Sequence, residues 1–191
     1  MLGRALVFAA CIAPLLAEAG GVRAAEAALD GLKDIVLHSA DGKSMVIGTV
    51  AFTPNGDKSQ FRINFDDRKF TQYFLSMREF KCVEGQEILC HVPYPYPSPQ
   101  TASASDPSWL EHALLFFYKR PGDYGAKMSH GIVYSLTPAA GGFAGKAESI
   151  DLDEIAIPPD DLAHAFFTGE HRYPIPPGDR WFESLTIEPH R

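Results

Sequence analysis

Beyond residue 33 the chain alternates apolar and polar residues at the two-residue period of half-buried strands. Asp34–His38 and Ser44–Phe52 read as strands joined by the turn Ala40–Lys43. Pro54-Asn55-Gly56-Asp57 predicts a tight hairpin, because Asn-Gly readily takes the positive φ such turns require. The strand after it, Ser59–Phe65, places Phe61, Ile63 and Phe65 on one face and Arg62 and Asn64 on the other.

The period then changes. Phe70, Tyr73, Phe74 and Met77 recur at i, i+3, i+4 and i+7 behind Asp66-Asp67, which predicts a short helix with one apolar stripe. A hairpin over Glu79–Val92 follows, with Val83–Leu89 at its tip. Pro93-Tyr94-Pro95-Tyr96-Pro97-Ser98-Pro99 cannot join a sheet interior and favours an extended polyproline conformation. Thr101–Ser105, small and polar, reads as a mobile loop, and Asp106-Pro107 as a helix start leading to a buried strand at Leu114–Tyr118. After the turn at Pro121-Gly122-Asp123, Gly131–Thr137 and Phe143–Leu152 form a hairpin across Pro138–Gly142. Pro158–Phe167 reads as a short helix, and Phe182–Glu188 as the last strand. About nine short strands with helices only as trim predict an all-β, antiparallel, barrel-like fold, with a β-sandwich as the alternative.

The N-terminus breaks this pattern. Met1–Arg4 carries one side-chain positive charge, and Ala5–Ala17 is an apolar run. That run fits the roughly 7–15 residues of a signal h-region and falls short of the roughly 20 of a membrane span. Small-residue cleavage patterns end at Ala19 and at Ala24. The second divides the chain into a cleavable signal peptide, 1–24, and a single β-rich domain, 25–191. Cys11 lacks the preceding leucine usual in lipoprotein signals, since Phe8-Ala9-Ala10 stands there. The expected location is therefore the periplasm or the outside of the cell, with no transmembrane segment in the mature chain.

Charge and cysteines narrow the partners. The formal net charge is −7 and becomes −8 when the leader, with its two arginines and one glutamate, is removed. An acidic protein lacks the basic patch that nucleic acid or an anionic membrane rewards, so no nucleic acid partner is expected. Cys82 and Cys90 remain as an even pair at short spacing, which in an oxidising compartment predicts a disulfide across the hairpin.

Chemical motifs are few. Asp41-Gly42-Lys43-Ser44 has the tail of a phosphate loop, but Leu37 stands where its first glycine belongs. Cys82…Cys90-His91 has seven residues between the cysteines where haem attachment uses two, so no cofactor is assigned. His164, Glu170 and His171 are the densest group of possible metal ligands, and their setting at a helix end and in a Pro-flanked loop reads as exposed histidines rather than a site. No catalytic residue is assigned. Candidate liners of a cavity at the barrel mouth are Arg78, Lys81, His91, Tyr94, Tyr96, Tyr124, His130 and Tyr134.

Phe74–Cys82, Cys90–Tyr96 and Leu110–Tyr118, continuing through Tyr124-Gly125 and Gly131–Leu136, together resemble an uncharacterised family of exported proteobacterial proteins. In that family the position of Glu79 is often proline. The resemblance implies export and brings no activity or site residues with it. Three functional readings follow. One is a protein binding a small, apolar or amphipathic ligand at the mouth of the barrel. The second is a module that docks another envelope protein through Tyr94 and Tyr96 or the 156–180 region. The third is a hydrolase with His91 or His130 as base, which requires an acidic or nucleophilic neighbour for that ring.

Overall fold

The computed structural model describes residues 29–191, so the predicted signal peptide lies outside the described residues. The strands are β1 (Gly31–Ser39), β2 (Ser44–Asn55), β3 (Lys58–Phe65), β4 (Thr71–Leu75), β5 (Arg78–Glu84), β6 (Ile88–Val92) and β7 (Thr101–Ala102). A short helix, α1 (Ser108–His112), precedes β8 (Leu115–Lys119), β9 (Gly131–Ala139), β10 (Gly142–Ile150), β11 (Tyr173–Pro174) and β12 (Phe182–Pro189). They form one antiparallel sheet in the order β4-β5-β6-β8-β9-β10-β12-β1-β2-β3-β7, with β11 beside β10. The expected all-β, antiparallel architecture is present, with helices as trim.

Local sequence explains the hairpins. Gly56 supplies a positive φ, 67°, in the two-residue turn Gly56-Asp57 that follows Asn55 and joins β2 to β3. Gly142 matters for a different reason: a Cβ there would stand 1.9 Å from the Ile187 carbonyl oxygen, so only glycine lets β12 pair this closely with β10. Cys82 and Cys90 lie directly opposite one another in the β5–β6 ladder and are joined as the expected disulfide. Closing so short a loop stabilises the fold by about 2.6 kcal/mol in the chain-entropy model.

One face of the sheet converges on a core that includes Ile35, Leu37, Ile47, Val50, Phe116, Tyr134, Phe143 and Ile187. A second cluster lies on the other face of β5, β6, β8 and β9, where Phe80, Phe117, Val133 and Ile150 are covered by Leu152, Ile155 and Phe167. Strands β6 and β8 are thus buried on both faces, which is why Leu115–Phe117 is continuously apolar instead of alternating.

Three local expectations are corrected. Phe70–Met77 is not helical: a 3-10 turn over Asp67–Lys69 leads into β4, and Ser76 and Met77 make its turn into β5 at positive φ. The apolar stripe does not become a buried face, since Phe74 and Met77 are 67% and 84% exposed. Pairing of β4 with β5, from Thr71↔Cys82 to Leu75↔Arg78, overrides the local period. Thr101-Ala102 is a short strand paired with β3, and its Ala102 is buried. Pro158–Phe167 carries no helix; Ala165 and Phe167 are held by burial, and a 3-10 turn follows at Gly169–His171.

The sheet is rolled but not closed. Phe65 on β3 and His91 on β6 stand seven strand-to-strand steps apart in the ladder, yet their rings approach to 4.5 Å. The roll therefore brings the two ends of the sheet together without joining them. A seam remains beside β3, where β7 pairs only with Ser59 and Gln60. The chain leaves that edge at Gln100, whose φ is +50°, and continues back through prolines that cannot donate to a ladder.

Candidate functional site

The open seam is also a cavity. Its volume is about 330 Å³, walled by Phe61, Ile63 and Phe65 of β3 on one side and by His91, Tyr94 and His112 on the other. Through Arg62, Ser98 and Gln100 it is continuous with a groove over Ala51 and Thr53 on β2.

Each wall is set by a different device. The disulfide fixes Cys90, and His91 is the next residue of β6. Its ring lies between Phe65 and Phe116, with centroids 4.5 and 5.6 Å away. Nε2 donates to the Ala113 carbonyl at 3.0 Å, which leaves Nδ1 as the acceptor nitrogen. Burial, helped by the positive charge of Lys81, pushes this imidazole down to about 4. A helix does follow the Asp106-Pro107 signature, but it starts one residue later than that signature predicts, with Pro107 in the cap position and Asp106 accepting from the Ser108 hydroxyl at 2.6 Å. The helix presents His112, whose Nδ1 donates to the Ser108 carbonyl at 2.8 Å while Nε2 accepts from the Phe167 amide at 2.9 Å. Burial, with a smaller effect from the Arg172 charge, pushes His112 down to about 4 as well. Both rings are neutral at pH 7.

Among the described residues Tyr94, like His130, carries a buried polar atom without a hydrogen-bond partner. Its ring meets His112, Tyr96 and Trp109 edge-on, at 5.3, 5.7 and 6.0 Å. Its hydroxyl oxygen is buried and makes no hydrogen bond among the described residues. Burial raises its pKa, so the group remains a phenol with a proton to donate. A buried hydroxyl left unpaired is costly.

Of the eight sequence candidates, the seam brings together His91 and Tyr94, with Tyr96 behind them donating to the Ile155 carbonyl at 2.8 Å. The other five lie elsewhere. Arg78 is exposed at the β4–β5 turn, and Lys81 pairs with Asp67 at 2.6 Å. Tyr124 is 99% exposed in the loop after β8. His130 stacks on Tyr118 at 4.8 Å, and Tyr134 is buried in the core with its hydroxyl 3.4 Å from the Phe182 carbonyl. Among the described residues, neither His91 nor His130 has a carboxylate or hydroxyl in hydrogen-bond contact, the neighbour that the hydrolase reading requires. His164 pairs with Asp161 and His171 with Glu154, at 2.7 and 2.6 Å.

His112 and the β3 residues Phe61, Ile63 and Phe65 are wall residues that the sequence does not mark as a site. Phe65 was indistinguishable from a core residue of its strand, and His112 lay in a helix too short to show a face. A second cavity, about 470 Å³, lies between β10, β12 and Pro174–Pro177, but Arg180, Glu148 and Glu183 on its walls are already paired within the chain. The seam is distinguished by its unmet polar groups. Comparison with protein-family models, curated proteins and solved structures returns no match to this chain.

Proposed function

We propose that the protein is an exported binding protein whose site is the seam cavity, and that it holds a small, partly apolar ligand there. The apolar leader and the Cys82–Cys90 disulfide support export. The observation that carries the binding reading is the buried hydroxyl of Tyr94, unpartnered among the described residues, on the wall of a cavity that sets Phe61, Ile63 and Phe65 against His91 and His112, with Arg62, Ser98 and Gln100 at its polar side. Apolar walls supply affinity, and the phenol orients one acceptor of the ligand. Neutral His91 adds a ring face and an acceptor nitrogen. Docking of a protein through exposed Tyr94 and Tyr96 is less well supported, because both rings turn inward.

Benzamide is a suitable probe, since it joins a flat ring to a carbonyl that accepts from a phenol. Titration followed by NMR is expected to give saturable shifts confined to Phe65, His91, Tyr94 and Gln100. Tyr94→Phe keeps the ring and removes the donor, and should weaken binding by about three- to tenfold. Absence of any saturable shift at the seam would overturn the reading.

A further inference from the structure

Strand β3 has an unused half-edge on the seam wall. The amide of Phe61 donates to the Gln100 carbonyl at 2.9 Å, so the backbone groups of Phe61 point away from β2. Successive residues of a strand alternate in direction, so the N–H and C=O of Ile63 and Phe65 point the same way, into the seam. Their register opposite Val50 and Gly48 places them at the positions that do not exchange hydrogen bonds with β2. Pairing with β7 ends before them, and among the described residues no turn or loop bond reaches them. Four main-chain groups at two-residue spacing, two donors and two acceptors, thus line a cavity whose other wall is aromatic.

We infer that the ligand of this cavity is a short extended peptide that adds to β3 as an antiparallel strand. The inference rests on the seam being the binding site. Three observations favour a peptide over another small amphipathic molecule. An extended segment already occupies the first half of this same edge: Gln100–Ala102 pairs antiparallel with Ser59–Phe61. The chain then diverts at Gln100, whose φ of +50° turns the segment before it off the edge. The remaining groups repeat at the spacing of a peptide backbone, which few other ligands match. Unpaired edges of this kind are normally blunted or covered, and here the cover stands away across the cavity.

The geometry defines the peptide. Residues facing Ile63 and Phe65 exchange both backbone bonds with them and direct their side chains into the cavity, beside His91 and Tyr94. The residue between, opposite Asn64, turns its side chain to the outer surface and its N–H away from β3. An apolar–polar–apolar tripeptide fits this pattern, with about 10 Å of extended chain.

The test uses acetyl-Val-Thr-Val-amide and two N-methylated forms. The parent should bind the intact protein saturably and slow hydrogen exchange at the Ile63 and Phe65 amides. Methylating both valine nitrogens removes the donors that face β3 and should weaken binding by about tenfold or more. Methylating the threonine nitrogen should change it by less than about threefold, since that N–H faces away. Ile63→Pro deletes a donor on the free side and should weaken the parent peptide; if that variant fails to fold, the methylated peptides still decide on the unaltered chain. Equal binding of the parent and the doubly methylated valine form would overturn strand addition. So would failure of the parent while benzamide still binds, which would leave the cavity reading standing. Failure of both probes would remove both.

Discussion

Acidification from pH 7 to pH 4 is expected to cost the fold several kcal/mol, most of it through His91 and His112. Each ring is buried and held near 4, whereas in the unfolded chain it titrates near 6.5. Between those values the unfolded state binds protons that the folded state refuses, so stability falls as pH falls. The contribution is fully present above about pH 6.5 and is lost progressively down to about pH 4. The displacement corresponds to about 3 kcal/mol for each ring. The other ionisable groups displaced downward are carboxylates, among them Asp41, Asp106 and Asp161, whose contributions are lost only at lower pH, below their ordinary value of 3.8. Denaturant unfolding at pH 7, 5.5 and 4.5 measures the effect. His91→Phe should be less stable at pH 7, because the Ala113 carbonyl loses its donor, yet show a flatter pH dependence. A stability that is level across this range would show that the rings are not buried neutral.

Glu111→Ala is expected to destabilise the domain by about 3–5 kcal/mol, as loss of one member of a buried ion pair does. Glu111 is buried on α1, where one carboxylate oxygen accepts from the Leu136 amide and the other from Arg172, each at 2.6 Å. Arg172 also donates to the Phe167 carbonyl, at 2.9 Å from Nε and 2.6 Å from Nη2, and to the Ser135 hydroxyl at 2.9 Å. Ser135 in turn bonds Glu148. This network ties α1, β9 and β10 to the irregular segment that supplies Phe167. Removing the carboxylate leaves a guanidinium that is 12% exposed and a backbone amide without an acceptor. Thermal unfolding of Glu111→Ala and Arg172→Ala, alone and together, should give a double variant much less destabilised than the sum, because the second change removes the group stranded by the first. Strict additivity would contradict the coupling.

The network also bears on the cavity. His112 lies one residue beyond Glu111 and accepts from the amide of Phe167, the residue whose carbonyl Arg172 holds. Loss of Glu111 should therefore loosen the α1 wall of the seam as well as the fold.

Much of this architecture was legible in the sequence. Two-residue alternation and strong turn chemistry located β2, β3, β9, β10 and β12, and compartment logic paired Cys82 with Cys90. The errors arose where local pattern and long-range pairing disagree. Phe70, Tyr73, Phe74 and Met77 match a helical stripe, but a five-residue strand paired with β5 takes Tyr73 and Phe74, a pairing that no local window contains. The site was half legible for a related reason. His91 and Tyr94 flank a conspicuous proline run, whereas Phe65 and His112 become site residues only when the sheet rolls and its ends meet. Tyr134 and His130 were chosen for their chemistry, and the fold uses both in aromatic packing.

The binding site exists only if β3 keeps an unpaired edge along an open seam. Residue-resolved amide hydrogen exchange in the ligand-free protein at pH 7 tests that claim directly. The Arg62 and Asn64 amides, directed at β2, should be strongly protected, and those of Ile63 and Phe65 should exchange far faster. Strong protection at all four positions would mean that the seam is closed by pairing, and neither the cavity nor the strand-addition site would survive it.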